Sequence, residues 1–278
     1  MEKFRSFAGI PADAKLSPQI IREQHNGPWI DFCCRQSTEI CRILRHQFKQ
    51  INPQAKFGFY SGLPSFDTKE TYRADWYDAI GDIDLALLSY YTASFTSLDD
   101  SFQMKMKEHI KKLKTAAAKK NNPGLQVWAT LTPGYARNSS MAPSAELVKL
   151  KVLRSFSSGM DGVSFWWWGP FDGDYYRKLA EATAIIGKYE RFFLQGESPV
   201  SLKVQTADGK RFSSFSSTDS SGTEFFMLMN HSAAALEVSF QNPGGRRWLD
   251  EIGGGAFSER VFRRNIPPYG VLTLVSEK

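Results

Sequence analysis

The chain has 278 residues, 42% of them hydrophobic and 14% aromatic, and a formal charge of +6. That is enough apolar material for one large domain or two unequal ones, and no stretch is long enough and apolar enough to predict a membrane span. The basic residues are scattered or cluster on a helix face (Lys111, Lys112, Lys114, Lys119, Lys120) and beside a strand (Arg263, Arg264), a pattern of solvated surfaces that argues against a nucleic-acid partner.

Met1-Glu2-Lys3-Phe4-Arg5 leads into no apolar signal core, so the chain as written is expected in the cytoplasm. A longer native N-terminus could carry a secretion signal and make it secreted or periplasmic. Residues 17–50 predict a helix with apolar Phe32, Ile40, Ile43, Leu44 and Phe48, stopped at Asn52-Pro53. Its three cysteines, Cys33, Cys34 and Cys41, have no spacing for zinc, and adjacent cysteines rarely bridge; reduced, partly buried thiols are expected. A compact aromatic strand follows at 56–62, then a loop and short helix at 67–78, and a second strand at 83–91. A basic amphipathic helix at 98–121 ends at Asn122-Pro123-Gly124, and the strand at 125–132 breaks at Pro133-Gly134. The helix at 143–157, capped by Ser158-Gly159, leads into a strand ending in Trp166-Trp167-Trp168, and residues 174–193 form the last helix.

Four strand–helix units of this kind predict parallel strands joined by right-handed crossovers. Their continuous apolar runs predict a sheet covered on both faces. Past Gln195-Gly196-Glu197 the texture changes to short alternating runs at 201–204, 224–230, 236–240 and 269–275, separated by Gly, Ser, Asp and Pro. These predict a small antiparallel β-sandwich over 197–278, after an α/β domain over 1–196.

Two groups of segments carry a family likeness. Leu131-Thr132-Pro133-Gly134-Tyr135, a helix, and then Ser158 through Trp168 resemble the last two strands of TIM-barrel glycoside hydrolases, and the barrel-type β-galactosidases above all. Phe226-Met227-Leu228-Met229-Asn230, Trp248-Leu249-Asp250 and Ile266-Pro267-Pro268-Tyr269-Gly270-Val271 resemble the β domain appended to those barrels. The likeness covers most of residues 56–278. A full barrel has eight units in about 250 residues, so the resemblance implies the second half of a TIM-type (β/α) barrel followed by its sandwich. Either the first half was lost, or a partner (a second copy or another chain) completes the barrel.

The family's chemistry uses two carboxylates, about 5–5.5 Å apart in retaining enzymes. The resemblance places one acid after the fourth strand and the nucleophile at the end of the seventh. Here the fourth strand is missing or shrunk to Phe4-Arg5-Ser6-Phe7. The nucleophile's place falls at Thr130 or a neighbour, with no Asp or Glu between Gln126 and Ser140. A threonine without a partnered base is no substitute. The remaining candidate acids are Asp172 and Asp174, which follow the tryptophans but equally suit a helix cap. Asp67, Glu70, Asp99 and Asp100 also lie after strands, the last two suiting a helix N-terminus. Asp82 and Asp84 begin a strand and belong to the opposite, stabilising end.

Binding residues are easier to name. Trp166 and Trp168 share one side of their strand while Trp167 faces the other, and the pair would form a flat floor for a sugar's C–H face; core packing is the alternative. Tyr60, Ser61, Tyr90, Tyr91, Thr132, Tyr135 and Arg137 sit at strand ends or in the next loops and could hydrogen-bond hydroxyls. Tyr90 and Tyr91 point oppositely, so at most one lines a pocket. His25, His46, His109 and His231 are dispersed and suggest neither a triad nor a metal site. The sequence therefore predicts a glycosidase-like protein that acts on a carbohydrate or only binds one, with no cofactor.

Overall fold

A computed structural model describes residues 1–64, 66–90, 100–132, 145–166, 172–205 and 212–277. By packing the chain divides into two compact units: residues 1–90 with 108–130, and 91–107 with 131–278.

The first unit opens with α1 (Glu2–Ala8), α2 (Pro18–Gln24) and α3 (Asn26–Ile51). Pro18 at the start of α2 and the Ser17 hydroxyl, which accepts the Ile20 amide at 3.2 Å, fix that helix's beginning. The segment around Phe4 is helical, not a remnant strand. Phe4 is 1% exposed and meets Trp29 edge-on at 4.9 Å, so the burial of an aromatic anchor makes this short helix pay its way. In α3 the buried stripe is Ile30, Cys34 and Cys41, whereas Ile40, Ile43, Leu44 and Phe48 face outward. The thiols are free and burial raises the pKa of each.

Then come β1 (Gly58–Ser61), α4 (Phe66–Tyr72), α5 (Trp76–Ala79), β2 (Leu85–Tyr90), α6 (Asp100–Lys119) and β3 (Gln126–Leu131). β1 and β2 run parallel, from Gly58 opposite Leu85 to Ser61 opposite Leu88. Burial in β2 alternates: Ala86, Leu88 and Tyr90 are fully covered while Leu85, Leu87 and Ser89 are half-buried. The two faces of the strand are thus unequally covered, unlike the expectation from its continuous apolar run. The Asn122 side chain donates to the carbonyls of Ile80 and Ile83, both at 2.7 Å, which anchors the turn after α6.

The second unit holds β4 (Gly162–Phe165), α7 (Ala145–Ser157), α8 (Gly173–Lys188) and α9 (Glu190–Gln195). The Trp166 amide donates to the Leu131 carbonyl at 2.8 Å, and the four strands follow the order β1-β2-β3-β4 of a parallel sheet. α7 ends at Gly159, whose φ of 92° supplies the left-handed turn that glycine adopts without strain. The last helix, expected as one piece, breaks at Tyr189. There Tyr189 and Phe192 pack on Phe225 at 4.6 and 5.0 Å, and Phe193 stacks on Phe215 at 5.1 Å.

The sandwich contains β5 (Lys203–Gln205), β6 (Phe212–Thr218), β7 (Glu224–Asn230), β8 (Leu236–Gln241), β9 (Trp248–Leu249), β10 (Ala256–Phe257), β11 (Val261–Ile266) and β12 (Val271–Ser276). Its sheets run β10-β9-β12-β7-β6 and β11-β8-β5, with antiparallel pairings. Leu228, Val238, Phe240, Trp248 and Leu274 fill the space between them. The described residues therefore form a mixed α/β arrangement, strand–helix units with a four-stranded parallel sheet, followed by an antiparallel sandwich.

Candidate carbohydrate-binding site

In the first unit the C-terminal ends of β1 and β2 frame a cleft of about 280 Å³, lined by Ser37, Phe59, Tyr60, Ser61, Tyr72 and Ser89 among others. Backbone bonds hold its floor. Trp76 Nε1 donates to the Gly62 carbonyl at 3.0 Å, and Ser89 Oγ donates to the Ser61 carbonyl at 2.7 Å. Tyr60 is 40% exposed, with burial of its remainder raising the phenol pKa. Ser61 Oγ is buried with no hydrogen-bond partner. Among the described residues no carboxylate lines this cleft, so it can bind hydroxyls but offers no acid–base pair.

Tyr90 corrects an expectation. It is 2% exposed, its hydroxyl is 3.0 Å from His109 Nδ1 on α6, and burial pushes its phenol pKa up. Strand alternation puts it on the covered side of β2 with Ala86 and Leu88, facing the helix layer instead of a ligand. Tyr91, Tyr135, Arg137, Trp167 and Trp168 lie outside the described residues, as does Asp99.

In the second unit Trp166 stands at the end of β4, 52% exposed. Asp172 and Asp174 do not form an acid pair. Asp172 is the N-cap of α8, its Oδ1 accepting the amides of Asp174 at 3.0 Å and Tyr175 at 3.2 Å. The Asp174 carboxylate pairs with Arg177 Nη2 at 3.2 Å on the exposed helix surface. Both carboxylates therefore serve the start of α8. Thr130 is 4% exposed, and Glu70 lies on the surface. Asp84, at the opposite end of its strand, is held by Arg45 and Lys49, each at 2.9 Å.

One residue that sequence reasoning missed is Lys151 on α7. Its Nζ reaches the Thr132 carbonyl at the end of β3 at 3.4 Å, and burial pulls its pKa down to about 7. Nothing in the sequence distinguishes it from the helix's other lysines, because its burial arises only when α7 is laid against the sheet.

No protein-family model and no curated protein matches the chain. Among the solved structures similar to it are glycoside hydrolases. A glucosidase from Croceicoccus marinus is 12% identical with a TM-score of 0.47, over 88% of this chain and 65% of its own. An arabinofuranosidase from Xanthomonas axonopodis pv. citri is 12% identical with a TM-score of 0.45, over 86% of this chain and 63% of its own. The α-galactosidase I from Mortierella vinacea is 11% identical with a TM-score of 0.40, over 86% of this chain and 80% of its own. The chain thus spans less than two thirds of the length of the first two.

Proposed function

We propose that this protein binds a neutral carbohydrate at the C-terminal end of β4 and does not hydrolyse it. The observation that carries the reading is the exposure of Trp166: it is 52% exposed at a strand end, while Trp76 and Trp248 are 2% and 0% exposed in the core. An indole half-exposed at the end of β4 suits the apolar face of a sugar ring. The use of Asp172 and Asp174 at the start of α8 favours binding over turnover.

Isothermal titration against a panel of methyl glycosides and short oligosaccharides, run beside an aryl-glycoside hydrolysis assay, tests this. One aromatic contact is worth about 1 kcal/mol or more, so Trp166→Ala is expected to weaken binding about fivefold to tenfold. Absence of binding in the parent, or equal affinity in Trp166→Ala, overturns the carbohydrate reading. Turnover in the parent that disappears in an Asp172→Ala, Asp174→Ala double variant overturns the non-catalytic part.

A further inference from the structure

A second cavity, of about 380 Å³, opens in the first unit where α2 meets the start of α3; its Arg73 lies between Tyr72 and Ala74, which line the strand-end cleft. The cavity wall includes Pro18, Ile21, Arg22, Asn26, Trp29 and Arg73. Two guanidinium groups therefore share one cavity, and among the described residues no carboxylate lines it.

Arg73 is the unusual member. Its Nη1 is buried without a hydrogen-bond partner. A guanidinium can only donate, so a buried, unanswered N–H leaves a charged group undersolvated. The backbone adds a second anomaly. Arg73 closes α4, its amide donating to the Lys69 carbonyl at 3.0 Å, with a left-handed φ of 53°. That is the position where helices ordinarily place glycine, because a side chain there is strained. The Arg73 carbonyl accepts the Ser37 hydroxyl at 2.9 Å, which anchors the turn through the backbone alone. A strained backbone position is thus occupied by a side chain whose Nη1 is buried.

The remaining walls fit the same ligand. Asn26 opens the 26-residue α3, whose N-cap His25 supplies no side-chain cap, so the positive end of a long helix faces this region. Trp29 is fixed by Phe4 edge-on and by Phe32 stacked at 5.8 Å, and with Ile21 it gives the cavity an apolar side.

We propose that this cavity is a binding site for a small organic oxyanion, a carboxylate or a phosphate monoester, with its charged head between Arg22 and Arg73 and its apolar part against Trp29 and Ile21. An oxyanion accepts the unanswered Arg73 donor in the fork geometry that guanidinium groups favour and relieves the repulsion between the two cations. The site is separate from the carbohydrate reading and does not depend on it.

The test is calorimetric titration with phenyl phosphate, benzoate and inorganic phosphate, at an ionic strength matched with chloride. Phenyl phosphate or benzoate should bind, and the aryl phosphate should bind tighter than inorganic phosphate if Trp29 and Ile21 hold the apolar part. Which aryl probe binds distinguishes a phosphate from a carboxylate head. Arg73→Gly should weaken binding about tenfold or more, the weight of one charge-assisted hydrogen bond. Its melting temperature in chloride should stay level or rise, since glycine suits the left-handed backbone. Arg22→Gln should weaken binding as well. Failure of the parent to bind either aryl probe, or unchanged affinity in Arg73→Gly, overturns the proposal. Sugar binding through Trp166 should persist in Arg73→Gly, so the two readings fail separately.

Discussion

His231 should make this protein acid-sensitive in a window where its carboxylates are silent. The ring follows β7, with Nε2 3.2 Å from Arg154 Nη1 and 2.7 Å from Ser213 Oγ. Arginine can only donate, so Nε2 accepts and the ring's proton belongs on Nδ1, which is buried and without a partner. Burial, and then the Arg154 charge, hold the imidazole pKa down to about 3. In the unfolded chain it returns to about 6.5. Between those values the unfolded state binds the extra proton, so stability falls as pH drops. From pH 7 to pH 5 the linkage amounts to about 2 kcal/mol. In a chain of this size that corresponds to about 4–8 °C in melting temperature. Circular dichroism melts of the parent and of His231→Gln, which keeps an acceptor for Arg154 but cannot titrate, should differ by that margin in their pH 7 to pH 5 shift. Equal shifts in the two proteins would refute a neutral, buried His231 against Arg154.

Two further outcomes concern carboxylates. Burial works against ionisation of Asp84, but hydrogen bonds from Lys49, the Phe57 amide and Arg45 prevail and hold its pKa below the ordinary range. Asp84→Asn should therefore cost about 2 kcal/mol at pH 7, a charge-assisted network discounted for partly exposed Arg45 and Lys49. The contribution is present above the unfolded pKa and lost as pH falls through the folded one, so urea midpoints of parent and variant should converge below about pH 3.8. Asp172→Ala should cost about 1 kcal/mol through the lost cap of α8 and leave sugar affinity unchanged; a matched loss of affinity would return Asp172 to the binding site.

The parallel strands were legible because each is an apolar run, and three of the four are cut off by Gly or Pro, breaks that survive in any tertiary context. α1 was not, because seven residues form a helix only when Phe4 finds Trp29 and Phe32. β6 was hidden by its composition: Phe-Ser-Ser-Phe-Ser-Ser-Thr reads as a loop, yet Ser213 and Ser217 are buried in the sheet. Between Ala180 and Gln195 only Gly187 hints at the break at Tyr189, where aromatic packing on Phe225 and the hydroxyl 3.2 Å from Thr273 Oγ1 hold the chain. The site was legible to the same depth. Alternation separated Tyr90 from its neighbours but could not say which side the helices cover. The capping chemistry of Asp172 could be read from Asp-Gly-Asp before a helix. Lys151, Arg73 and His231 could not be found, because a basic side chain becomes unusual only by burial among residues far away in sequence.

The electrostatics bear on enzyme against binder. A glycosidase needs a general acid that stays protonated near neutral pH, a carboxyl whose pKa its surroundings raise. Every described carboxylate whose pKa is displaced moves downward: Glu39, Asp84, Glu108, Glu146, Glu181 and Asp219. Each faces a cation or a set of hydrogen-bond donors. Glu146 and Glu181, for example, share Lys149 and Lys178 between α7 and α8. Burial pushes toward neutrality the basic Lys151 at the end of β3 and His231 against Arg154, together with the cysteine thiols and the phenols of Tyr60 and Tyr90, but none of the described carboxyls. A general acid for turnover would therefore have to be a carboxyl other than these six.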